Sequence, residues 1–181
     1  MRNLFVTIII VAGLLACNQA IKGKNGVVYK SAVQYNDYII GRQTTLIKNI
    51  LDLSVIAQTN LDSADKILDK YVVETDSLIL DVNGMPPYKS DSAFRDAAIA
   101  SFTFYKKIFG NEYKQLINIR KNGGDATEEG IAEMNRIVGD ITREEEKYDK
   151  SFHNAQKNFA DKNNMKLAEN EMQKKIDKIK E

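Results

Sequence analysis

Chemically versatile side chains are scarce in this chain of 181 residues, which holds one cysteine, Cys17, and one histidine, His153. His153 stands four residues after Asp149, and Glu144-Glu145-Glu146 lies just upstream. On a helix, Asp149 and His153 share a face. A di-iron bundle draws Glu-x-x-His from two helices together with further carboxylates, and one histidine cannot supply two such motifs. The acids around His153 therefore read as a charged outer face, with no metal bound. A single helical histidine cannot be argued into a Ser-His-Asp arrangement. Gly123-Gly124 lacks the strand context and the lysine of a phosphate-binding loop and reads as a turn. No catalytic constellation and no cofactor site emerge.

Cys17 is different, because chemistry can be done to it. Residues 1–16 open with one basic side chain, Arg2, and continue from Leu4 as an almost unbroken apolar run ending in Leu14-Leu15-Ala16. A basic start, a short apolar stretch and a small residue before a cut describe a secretory leader. A run of thirteen residues, Leu4 to Ala16, broken only by Thr7 and Gly13, falls short of the ~20 that span a bilayer as a helix. Leu14-Leu15-Ala16-Cys17 resembles the bacterial lipobox, in which the chain is cut before the cysteine and its thiol is lipidated. Fatty chains such as palmitate then hold the protein to a membrane; three of them exceed the two signals that stable anchoring needs. Asn18, where an aspartate would signal inner-membrane retention, points to the outer membrane of a bacterial envelope.

Of the 26 basic side chains, Arg2 alone lies in residues 1–16, which leaves 25 basic against 25 acidic. Such a balance argues against nucleic acid as a partner, since its binders concentrate positive charge on one face. With Cys17 lipidated, no thiol remains for a disulfide, a metal site or a nucleophile. The membrane, through the lipid, is the expected partner, with another envelope protein as the second candidate.

Residues 17–28, rich in glycine and lysine, read as a lipidated cysteine followed by a flexible tether. Apolar spacing of three and four then predicts helices across residues 29–164. Val33, Ile40, Ile47 and Leu51 mark the first; Ala64, Ile67, Leu68, Tyr71 and Val72 mark the second. Whether residues 29–81 form one rod or two hangs on Gln58-Thr59-Asn60, which offers cap chemistry. A single rod would be ~75 Å long and only half covered, so burial favours a turn. Asn83-Gly84-Met85-Pro86-Pro87 ends the second helix. Ser90 or Asp91 caps a third, which runs through Phe94, Phe102, Tyr105, Ile108 and Ile119 to Asn122-Gly123-Gly124. Asp125-Ala126-Thr127-Glu128 has capping-box spacing. The fourth carries a seam of Ile131, Met134, Val138, Ile141, Glu145, Tyr148, Phe152, Ala155 and Phe159. The expectation is an all-α, up-down-up-down four-helix bundle with a charged, frayed helical tail over residues 165–181.

Tyr35-Asn36-Asp37-Tyr38, Gly41-Arg42-Gln43, Phe94-Arg95-Asp96-Ala97-Ala98, Phe104-Tyr105-Lys106 and Glu112-Tyr113 follow one another along these helices. Phe152-x-x-Ala155-Gln156-x-x-Phe159-Ala160-x-x-Asn163 completes the series. In this order they resemble a family of small helical bacterial surface lipoproteins, leptospiral in type and found also in Bacteroidota. The resemblance covers residues 31–167. It implies a lipid-anchored helical bundle at the cell envelope and brings no catalytic residues.

If the helices pack antiparallel, several polar residues that interrupt apolar seams arrive at one level. Gln43, Thr44, Thr75, Tyr105 and Glu145 are predicted to form a polar layer, with Arg42 or Lys106 able to reach the carboxylate. A buried carboxylate requires partners. The layer either fixes helix register or forms a small-ligand site in the bundle interior. The function implied is a binding or structural module without catalysis.

Overall fold

The computed structural model describes residues 20–167; the expected leader and Cys17, like residues 168–181 of the expected tail, lie outside them. Among the described residues a two-stranded hairpin, β1 (Ile21–Lys22) and β2 (Val28–Tyr29), precedes helices α1 (Ala32–Thr59), α2 (Leu61–Asn83), α3 (Ala93–Gly110), α4 (Glu112–Lys121) and α5 (Glu128–Lys162). They pack as an all-α, up-down-up-down bundle of four rods, the third of which is α3 and α4 in succession.

Local chemistry sets the helix ends. Ser31 Oγ accepts from Gln34 N–H at 3.2 Å, while the Gln34 side chain accepts from Lys30 N–H at 2.9 Å. Two otherwise orphaned amide donors are thereby satisfied at the start of α1. Asn60 alone separates α1 from α2, and its Oδ1 accepts from Ser63 N–H at 2.8 Å. Residues 29–81 are thus two helices. Asp91 Oδ1 accepts from Ala93 N–H at 2.9 Å at the start of α3. The cap of α5 is Thr127, two residues later than the capping-box spacing suggested, with Oγ1 accepting from Gly130 N–H at 3.1 Å. Asp125 instead belongs to a short 3₁₀ turn over Gly124–Ala126. That turn crosses the first turn of α5 so closely that a Cβ on Gly130 would stand 2.2 Å from Gly124 O.

Three expectations change. The third helix is not continuous: Gly110-Asn111 are poor helix formers, and Asn111 leaves helical geometry at φ −124°, ψ −73°. Residues 20–28 are folded rather than a free tether. Gly23 N–H donates to Val27 O at 2.8 Å, and Asn25 Nδ2 donates to Tyr29 Oη at 2.7 Å and to Asp81 O at 2.9 Å. The polar composition of this stretch serves the turn and the exposed carbonyls at the C-terminus of α2. The bundle also runs past residue 164, since Met165 is buried and its N–H donates to Ala160 O at 2.9 Å.

Cross-bundle pairs give the register. Arg42 meets Asp81 at 3.0 Å and Asn49 meets Glu74 at 3.0 Å between α1 and α2. Lys106 pairs with Asp76 and Lys114 with Asp69 between the second and third rods. Gln156 Nε2 donates to Asn36 Oδ1 at 3.0 Å between α5 and α1. The hairpin end is filled by rings: Tyr35, Tyr88, Phe94, Phe152 and Phe159 meet at centroid separations of 5.2–5.4 Å. Edge and offset contacts of this kind add to plain area burial.

Candidate functional site

The polar layer is the candidate, and α3 and α5 form its centre. Tyr105 Oη donates to Glu145 Oε1 at 2.9 Å with both residues buried. Asp149, one helical turn beyond Glu145, is also buried, at 5 % exposure. Burial first, then the charges of Asp149 and Glu145, push the Tyr105 hydroxyl well above the usual tyrosine range. Burial and then Glu145 raise Tyr113 of α4 in the same direction. Tyr105 therefore holds its proton and acts as a fixed donor to the Glu145 carboxyl group.

The remaining members divide. Gln43 and Thr75 are buried, and neither Gln43 Oε1 nor Thr75 Oγ1 has a hydrogen-bond partner among the described residues. Thr44 is half-buried and turns its hydroxyl to its own helix, donating to Ile40 O at 2.9 Å, so it takes no part in cross-helix pairing. Arg42 and Lys106 were expected to approach the carboxylate; both are engaged on α2 instead. Arg42 Nε and Nη2 donate to Asp81 Oδ2 at 3.1 and 3.0 Å, and its guanidinium lies 3.3 Å from the Tyr38 ring centre. Lys106 donates to Asp76. The Glu145 carboxyl group thus takes its hydrogen bond from a phenol, and the two cations stay at the helix rims beside acids of α2.

Sequence reasoning missed Asp149, Asn36, Gln156 and Ser101, all of them buried. Asp149 in particular is not on a charged outer face, although Glu144 and Glu146 beside it are exposed. The available signal was a second track of i, i+4 steps on α5: Ile137, Ile141, Glu145, Asp149 and then Phe152, Gln156 and Phe159 are its buried residues. The strict seam, by contrast, includes Ile131 and Val138, which are 45 % and 38 % exposed. Seven residues on from the Asn36–Gln156 pair in each direction, two turns of each helix, Gln43 comes level with Asp149.

Beside the layer, α3, α4 and α5 enclose an open cleft of about 580 Å³ over an apolar floor that includes Phe104, Ile108, Ile137 and Ile141. Its rim charges are mutually satisfied: Lys107 with Glu112 at 3.1 Å, and Arg136 and Arg143 with Asp140. Among the described residues no group of three potential metal ligands converges. Chemically, the arrangement offers a buried phenol–carboxylate pair with acids and amides stacked along the same face of α5. Among the described residues no helix is long and apolar enough to cross a membrane. Compared with family models, curated proteins and solved structures, the chain matches none.

Proposed function

We propose that the chain is a lipid-anchored protein of the bacterial cell envelope, seated at the outer membrane, whose bundle works as a binding or structural module without catalysis. One observation carries the reading: the apolar leader ends in Leu14-Leu15-Ala16-Cys17, and the folded part begins at once behind it. The likeness to leptospiral-type surface lipoproteins points the same way. Radioactive fatty-acid labelling tests it. Wild-type protein should incorporate label and partition with membranes, and Cys17→Ala should lose both. Full labelling and membrane retention of that variant would remove the reading.

A second reading, a small-ligand binder using the bundle interior, is favoured by the two buried oxygens, Gln43 Oε1 and Thr75 Oγ1, that lack partners in the core. Buried polar atoms nearly always have a hydrogen-bond partner, so each of these oxygens has room to accept from a ligand donor. A compound seated there should raise the melting temperature of the wild type and leave that of Glu145→Gln unmoved. Equal shifts in both would place the compound elsewhere.

A further inference from the structure

The anchor and the bundle are joined by very little chain. Four residue steps separate Cys17 from Ile21, the first residue of β1, so a fully extended connection covers at most ~14 Å. The hairpin itself is fastened to the bundle. Asn25 N–H donates to Gly84 O at 3.3 Å, and Asn25 Nδ2 donates to Asp81 O. A Cβ on Gly84 would lie 2.8 Å from Asn25 Cβ, so only glycine admits this approach. An acyl chain on Cys17 therefore brings a particular end of the molecule against the bilayer.

That end has the chemistry of a lipid-facing surface. A cleft of about 720 Å³ between the hairpin and the α2–α3 connection is lined by Lys22, Lys24, Leu80, Pro87 and Arg95, among others. Leu80 is 64 % exposed. Lys22, Lys24, Lys30 and Lys89 are exposed at this end. Three acids of this end are paired, Asp81 with Arg42, Asp96 with Arg95 and Asp91 with Lys162, and Asp37 and Asp161 are exposed. The opposite end carries Asp62, Asp125, Glu128 and Glu129, all exposed, of which Asp62 pairs with Lys121 at 2.7 Å and Asp125 with Arg120 at 3.8 Å. Basic side chains beside an apolar one suit anionic headgroups over acyl chains, and their attraction acts only within about a Debye length of the surface. A connection of at most ~14 Å lets them come within that distance without leaving the surface.

We propose that the hairpin end, centred on Lys22, Lys24 and Leu80, is a membrane-contact face that seats the bundle on an anionic phospholipid surface. The proposal rests on the lipidation of Cys17. It fixes the orientation: the α1–α2 turn and the start of α5 point away from the bilayer.

The test uses the full chain, processed and lipidated in bacteria, then reconstituted into vesicles of phosphatidylcholine alone or mixed with phosphatidylglycerol. Leu80→Cys or Val55→Cys carries a fluorophore, since an acylated Cys17 has no free thiol, and brominated lipids quench it. Val55 lies ~35 Å along α1 from the hairpin end. Quenching at position 80 several-fold stronger than at position 55 is expected. It should rise with phosphatidylglycerol and be lost in Lys22→Glu/Lys24→Glu. Equal quenching at both positions, with Cys17 shown by mass spectrometry to be acylated, overturns the contact face and leaves the anchor standing. A Cys17 without fatty acid overturns both.

Discussion

Tyr105→Phe removes one hydroxyl from the centre of the bundle and leaves the ring in place. The lost bond runs to Glu145 Oε1 at 2.9 Å between buried residues. If Glu145 is ionised, a hydrogen bond to it contributes about 1.5–3 kcal/mol, against about 0.5–1.5 for a neutral pair. At ~2–4 °C per kcal/mol for a chain of this size, the melting temperature should fall by about 3–12 °C. In a Glu145→Gln background the acceptor is neutral, so the same Tyr105→Phe change should cost about 1 kcal/mol less. Urea unfolding at pH 7, followed by far-ultraviolet circular dichroism, gives all four corners of the cycle. An unchanged slope against urea would show that the denatured states are comparable. If Tyr105→Phe costs less than about 0.5 kcal/mol, or the same in both backgrounds, the charged pair contributes nothing specific and the register argument fails.

Alkaline unfolding should follow the buried tyrosines. Burial, the largest cause in each, raises Tyr29 to about 12 and moves Tyr35, Tyr71 and Tyr105 upward as well. Neutral phenol is thus favoured in the fold. The stability it contributes is complete below the unfolded value near 10 and is lost as pH rises through each folded value. A phenolate absorbance titration in which all eight tyrosines ionise near pH 10, with the fold intact, would contradict this. Arg42→Ala should cost about 1 kcal/mol, from the stacking on Tyr38 and a partly exposed pair with Asp81. Arg42→Lys should restore little of it, because ammonium cannot reproduce the flat stacked fork; full rescue in thermal melts would show that charge alone matters. Gly84→Ala should release the hairpin, and hydrogen exchange should lose protection at the Gly23 and Asn25 amides. Retained protection there would mean that the Asn25 contact does not hold the hairpin.

Periodicity and cap chemistry were enough to read the rods. Steps of three and four, Asn60 between α1 and α2, and the two prolines after Asn83 are local signals. They act through backbone geometry within a few residues, so no tertiary information is needed to see them. The approach of Tyr105 to Glu145 was legible too, because antiparallel packing converts helix ends into levels. Tertiary structure decided which of two overlapping patterns on α5 turns inward. The predicted seam and the buried track share Ile141, Glu145, Phe152 and Phe159, and the placement of α3 and α1 brings Asp149 and Gln156 in while leaving Ile131 and Val138 exposed. It also decided where the cations go, since Arg42 and Lys106 find their acids on a rod distant in sequence. The hairpin was invisible for the same reason: Gly23 and Asn25 look uncommitted until the carbonyls of Asp81 and Gly84, some sixty residues away in the chain, are brought beside them.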